Sequence, residues 1–198
     1  MKLFIDFDNT IVESNKSIIN ILNKKYNLSK NEEDLKDYNF NTIYPISIEE
    51  KLDMFCSDDF FQGLVFKEGF IDFLDKYHDI LEVTIVSKSR NEEQIVKKDN
   101  WIKQNIPYNI NFIGIIVDGL GKHTINMKDS IQIDDCTEAL NTNAEIKILY
   151  KDFNDYPWQK DYQNKNILLT NTWSEISDIV EFYLQHDYKT LNDKIEEA

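Results

Sequence analysis

Six short apolar runs punctuate the chain, at residues 3–5, 83–86, 112–117, 130–133, 146–149 and 167–169. None alternates polar with apolar positions, so each reads as a strand buried on both faces, and parallel pairing is the expectation. Between the later runs the period becomes helical, at residues 70–77, 92–104, 137–142 and 173–184. Strands alternating with helices predict an α/β fold, a Rossmann-like parallel sheet flanked by helices with right-handed crossovers. Ligands of such sheets collect outside the carboxyl ends of the strands, so residues that close each run are the first candidates for chemistry.

Residues 13–67 break this rhythm. They contain no convincing buried strand, but amphipathic stretches at 16–26 and 48–55 are separated by loops rich in Asn, Asp and Ser. The expected organisation is a core domain of residues 1–12 and 68–198, with a small helical cap domain, 13–67, inserted after the first strand. The charged tail at 187–198 should extend the last helix or fray.

Composition narrows the function classes. A chain of 198 residues, 41% of them hydrophobic, buries one full core and leaves room for a modest insertion. Its net charge of −14 argues against a nucleic-acid partner, because tracking a polyphosphate needs concentrated Lys and Arg. A small phosphate ester remains admissible, since a divalent cation and one lysine invert the potential locally. Cys56 and Cys136 lack metal or redox spacing and read as free thiols. Leu3, Phe4 and Ile5 are too few for a signal core, and no run nears the roughly 18 apolar residues of a membrane span. A cytoplasmic protein without a membrane partner is expected, with a homodimer left open.

The candidate chemistry sits where the runs end. Asp6 and Asp8 follow the first, and strand alternation would point both carboxylates the same way; the competing reading is an Asp-Asn turn. Ser87 closes the second run before Lys88, Ser89 and Arg90, and offers a hydroxyl to a phosphoryl oxygen or a cap to the next helix. Lys122 follows Gly119, Leu120 and Gly121 after the third run. It is not a P-loop lysine, because Ile116 and His123 stand where that motif needs Gly and Ser or Thr, and Lys128 is a rival for its role. Asp134 and Asp135 end the fourth run, either as caps of a helix near Thr137 or as metal ligands. Four carboxylates at neighbouring strand ends would repel one another without a cation, and all-oxygen donors point to Mg²⁺.

Taken in order, Asp-x-Asp-x-Thr, a strand-end Ser, a Lys and Asp-Asp resemble the haloacid dehalogenase superfamily of phosphohydrolases. The resemblance implies Asp6 as the nucleophile that forms an aspartyl-phosphate and Asp8 as its acid/base partner. It implies Mg²⁺ held by Asp6, the main-chain carbonyl of Asp8 and Asp134, with Asp135 holding a ligand water or Lys122. Ser87 and Lys122 would clamp the phosphoryl group, with Lys88 beside them, and Thr10 would orient Asp8 or support its loop. An acid at position 8 further implies that the intermediate is hydrolysed. Residues 58–64 with Gly69, and 171–176, bring the chain nearer to the 5'(3')-deoxyribonucleotidases. It departs from them in carrying Asn9-Thr10 for Gly-Val, and Ser87-Lys88-Ser89-Arg90 for Thr-Ser-Pro or Thr-Ala-Arg. The implied activity is Mg²⁺-dependent hydrolysis of a (deoxy)nucleoside monophosphate, the alternatives being another small-metabolite phosphate or a non-catalytic phosphate-binding protein. Base stacking would fall to aromatics of the insertion, Phe60 and Phe61 foremost, ahead of Phe40, Tyr44 and Phe66.

Overall fold

All six apolar runs become strands: Lys2–Ile5 (β1), Glu82–Ser89 (β2), Asn111–Ile116 (β3), Ser130–Asp134 (β4), Ile146–Tyr150 (β5) and Ile167–Thr170 (β6). In the computed structural model, which describes residues 1–116, 121–151, 156–160 and 166–186, they form one sheet in the order β3-β2-β1-β4-β5-β6. Every pairing is parallel. β1 lies between β2 and β4, with Ile5 opposite Ile85 on one side and Ile133 on the other. Leu3, Ile5, Ile131 and Ile133 are fully buried there, as unalternated runs require. The edge strand β6 is covered less and leaves Leu168 and Leu169 exposed. Chain direction across the sheet switches between β1 and β4, and that crevice is where this topology places its ligand.

Among the described residues the core helices are Phe70–Tyr77, Glu92–Asn105 and Trp173–Gln185, which follow three in the insertion. In chain order the six are α1 (Ser14–Tyr26), α2 (Ile48–Met54), α3 (Asp58–Gln62), α4 (Phe70–Tyr77), α5 (Glu92–Asn105) and α6 (Trp173–Gln185). Polar caps start several of them: Ser47, Ser57, Asn91 and Thr172 each accept a backbone N–H from the first turn of α2, α3, α5 and α6. Gly69 precedes α4 at φ 82°, a conformation that costs glycine little. The chain enters and leaves the insertion side by side. Glu13 N–H donates to the Val65 carbonyl and Lys67 N–H to that of Ile11, both at 2.9 Å, and the Lys67 ammonium pairs with Glu13 at 2.9 Å.

Two elements differ from expectation. Residues 137–142 form turns, not a helix: Ala139 N–H reaches Cys136 and Asn141 N–H reaches Glu138, both three residues back. Polar side chains there serve other groups, Thr142 Oγ1 donating to Gln132 Oε1 at 2.6 Å and Asn143 Oδ1 accepting Met127 N–H at 2.8 Å, which diverts the chain from a helical course. The five-residue α3 is the other, too short to show a period. Both cysteines are free thiols. Val117, Gly119, Leu120 and the tail at 187–198 lie outside the described residues.

Candidate active site

Three carboxylates meet at the β1/β4 crevice. Asp6 follows β1 directly and its N–H donates to the Ile133 carbonyl at 2.9 Å, continuing the ladder one step beyond the strand. Asp134 is the last residue of β4, and Asp135 follows it. One oxygen from each of Asp6, Asp134 and Asp135 lies within 4.8 Å of the others. Lys122, in the short turn Lys122–Thr124 and almost wholly buried, donates to Asp134 at 2.6 Å and also to Asp6. Lys128 stands exposed in the turn before β4, so Lys122 is the lysine brought to the acids.

Electrostatics would let this cluster hold a cation. Burial pushes the Asp6 carboxyl up to about 7, helped by Asp134 and Asp8 and opposed by Lys122. Burial, Asp6 and Asp134 push Asp135 well above the usual carboxylate range, although the Trp158 indole donates to it at 3.2 Å. Burial works against the Lys122 ammonium, yet Asp134 and Asp6 outweigh it and hold the proton more tightly than usual. One ammonium does not balance three buried carboxylates, and an all-oxygen donor set suits a hard divalent cation.

Asp8 lies on the other side of the same opening. β1 stops at Ile5, so Asp6 and Asp8 share the cavity through the loop that follows rather than by strand alternation. Asn9 turns that loop at φ 55°, a left-handed conformation that asparagine tolerates better than most residues with a side chain. Its Oδ1 then accepts the Asn15 N–H at 2.9 Å and so caps α1. The Asp8 carboxylate accepts Ser14 Oγ at 2.7 Å on one oxygen, and Lys98 Nζ at 2.5 Å with Ser87 Oγ at 3.3 Å on the other. Lys98 also donates to Ser87 Oγ at 2.7 Å and to the Lys88 carbonyl at 3.0 Å, and its side chain is 0% exposed. Two lysines thus divide the acids, Lys122 holding Asp6 and Asp134, and Lys98 holding Asp8.

Lys98 escaped the motif reading, but a signal exists. Gln94, Lys98, Trp101 and Ile102 are the buried residues of α5, and a lysine inside such a stripe requires a charged partner. Ser87 does not cap α5, a role taken by Asn91; β2 runs on to Ser89, and the Ser87 hydroxyl is fully buried against Asp8 and Lys98. Asp134 and Asp135 cap no helix either, since none starts at Thr137, and Asp134 accepts the Cys136 N–H at 3.1 Å.

Above the acids a cavity of about 340 Å³ opens between the core and the insertion. Asp6, Asp8, Lys122, Asp134 and Asp135 form its polar end, Lys88 stands at its wall, and Tyr38, Leu52, Phe55, Ala139 and Trp158 supply apolar surface. Tyr38 meets the edge of Trp158 at 5.5 Å, which in turn stacks on Tyr156 at 4.2 Å. The aromatics expected to face a substrate are elsewhere. Phe60 is fully buried against Phe55 and Phe61, and the Phe61 carbonyl accepts the Trp101 indole N–H at 3.1 Å, so both pack the insertion onto the core. Phe40 and Tyr44 are core residues as well. Thr10 is fully buried and does not line the cavity; its carbonyl accepts the Trp173 indole N–H at 3.2 Å.

The strand order, with acids at its switch point, is a Rossmann-like fold of the haloacid dehalogenase type. Two solved structures share it: a haloacid dehalogenase-like hydrolase from Streptococcus pneumoniae, 13% identical at TM-score 0.55 over 90% of this chain and 97% of that one, and a HAD-superfamily hydrolase of subfamily IA, variant 1, from Geobacter sulfurreducens PCA, 13% identical at TM-score 0.51 over 90% and 96%. No curated protein matches the chain. The family described as "5' nucleotidase, deoxy (Pyrimidine), cytosolic type C protein" matches residues 1–185, and the chain belongs to it. It is therefore a hydrolase of the phosphatase and 5'-nucleotidase class. No helix among the described residues is long and apolar enough to cross a membrane.

Proposed function

We propose that the protein is a Mg²⁺-dependent phosphomonoesterase that hydrolyses (deoxy)nucleoside monophosphates in the cytoplasm. The observation that carries this reading is the Asp6, Asp134 and Asp135 cluster with Lys122 among it, at the polar end of a cavity whose other walls are aromatic and aliphatic. Asp6 attacks phosphorus and forms the Asp6–phosphoryl bond as the ester bond breaks, while Asp8 gives the leaving alkoxide its proton. A water then attacks phosphorus and releases Asp6, and Asp8 recovers the proton. Ser14, Ser87 and Lys98 orient Asp8 for both transfers. Asp6, the Asp8 carbonyl, Asp134 and Asp135 would hold Mg²⁺, which when bound neutralises charge on the phosphoryl oxygens.

Residues 13–67 act in this reading as the cap, because they contribute Asn15, Tyr38, Leu52 and Phe55 to the cavity. A leaving group that carries a flat aromatic ring matches those walls, as a nucleoside does through its base. The test is phosphate release from a panel of nucleoside monophosphates, sugar phosphates and an aryl phosphate, with Mg²⁺ and with chelator. The expected result is Mg²⁺-dependent turnover, greatest on nucleotides, that Asp6→Asn reduces on the order of 10⁴-fold or more. Absence of turnover on every member, or full activity of that variant, overturns the reading.

A further inference from the structure

One polar group in the cavity has no part in holding the acids. Asn15, in the first turn of α1, lines the cavity beside Asp8 and Asn9 and is 4% exposed. Its backbone N–H is satisfied by Asn9 Oδ1, but its Nδ2 is buried and makes no hydrogen bond among the described residues. A buried amide in that condition costs stability, and its persistence points to a partner that arrives with the substrate. Other polar groups at this end are committed: Ser14 and Lys98 to Asp8, Gln94 Oε1 to the Arg90 N–H at 2.7 Å. Besides Asn15, the insertion contributes Tyr38, Leu52 and Phe55 to the cavity.

We propose that Asn15 is a specificity-determining residue whose side-chain amide pairs with a neutral hydrogen-bonding group of the leaving alcohol, just beyond the oxygen that Asp8 protonates. The proposal deepens the nucleotidase reading and rests on it. A neutral amide both donates and accepts, so it serves an uncharged sugar hydroxyl or base edge. It gives nothing comparable to an aryl leaving group, which has no such partner. Asn15→Leu keeps the size of the side chain, leaves the Asn9 contact to the backbone intact and removes the amide.

Asn15→Leu and native protein are compared on a nucleoside monophosphate, on ribose 5-phosphate and on phenyl phosphate, together with their melting temperatures. The ratio of kcat/KM for nucleotide over phenyl phosphate should fall about 10- to 100-fold, with the change in KM rather than kcat. A parallel fall on ribose 5-phosphate identifies a sugar hydroxyl as the partner; a fall on the nucleotide alone identifies the base. The variant should melt no lower than native protein, because it has lost an unpartnered buried amide and no internal bond. An unchanged ratio, or a lower melting temperature with equal losses on all three substrates, overturns the proposal. Inactivity of native protein on all three overturns the nucleotidase reading instead, so the two failures are distinct.

Discussion

The pairing of Lys98 with Asp8 predicts an asymmetric response to deletion of either charge. The lysine side chain is 0% exposed while that of Asp8 is 25% exposed, so the two orphaned charges meet different environments. In Asp8→Ala the ammonium stays sealed with only Ser87 Oγ and the Lys88 carbonyl as acceptors, a cost of about 4 kcal/mol, within the roughly 3–5 kcal/mol typical of a broken buried pair. In Lys98→Met the carboxylate keeps Ser14 and Ser87 and some water, and the cost is nearer about 2 kcal/mol. The double variant leaves neither charge stranded and should fall short of the sum by about 2 kcal/mol or more. Urea unfolding of the four proteins, without divalent cation, measures this cycle. A coupling below about 0.5 kcal/mol, the level of independent sites, refutes the pairing. Lys98 does not line the cavity, so Lys98→Met should lower kcat about 100-fold with a smaller change in KM, as expected for a residue that positions an acid/base group.

Two further outcomes follow from the packing. Phe60→Ala should cost about 3–5 kcal/mol in urea unfolding because Phe60 is fully buried, whereas Phe55→Ala should chiefly raise KM for a nucleotide, about tenfold, because Phe55 lines the cavity. Lys51 is 1% exposed, with its ammonium 3.3 Å from the Tyr38 ring centroid, and burial pulls it down to about 7 against the pull of Asp37 and Asp8. Between about pH 7 and 10 the unfolded chain holds a proton there that the native chain has lost, so native stability rises with pH by up to about 1.4 kcal/mol per unit. Lys51→Met should therefore be the more stable protein at pH 6, with an advantage that shrinks toward pH 10; an advantage independent of pH sinks the assignment.

Features set by local chemistry were legible without the fold. Residues 3–5 and 130–133 show as buried strands because both faces of a central parallel strand are covered, and acids that end such strands have one place to go, the switch-point crevice. Features set by which face a helix or loop turns inward were not. Phe60 and Tyr38 are both aromatics of the insertion, yet the five-residue α3 buries the first and the loop before α2 presents the second to the cavity. Lys128 lies nearer to β4 in sequence than Lys122, yet only the short turn at Lys122 aims a lysine at Asp6 and Asp134. Lys98 stands eleven residues after Ser87 and meets it only because α5 packs back across the end of β2.

The division of lysines also explains how a chain of net charge −14 accepts an anion. Around the cavity floor the carboxylates of Asp6, Asp8, Asp134 and Asp135 face the ammonium groups of Lys98 and Lys122, leaving an excess of two negative charges when all are ionised. One divalent cation would cancel that excess; without one, burial and mutual repulsion raise the Asp6 and Asp135 carboxyls. A phosphate dianion would then meet a neutral floor, with Lys88 exposed at the wall as a further cation. The overall acidity of the surface acts on what approaches from a distance, within a Debye length of about 8 Å, and works against polyanions. Acceptance of a small phosphate ester is decided inside the cavity, by a charge balance that the surface does not see.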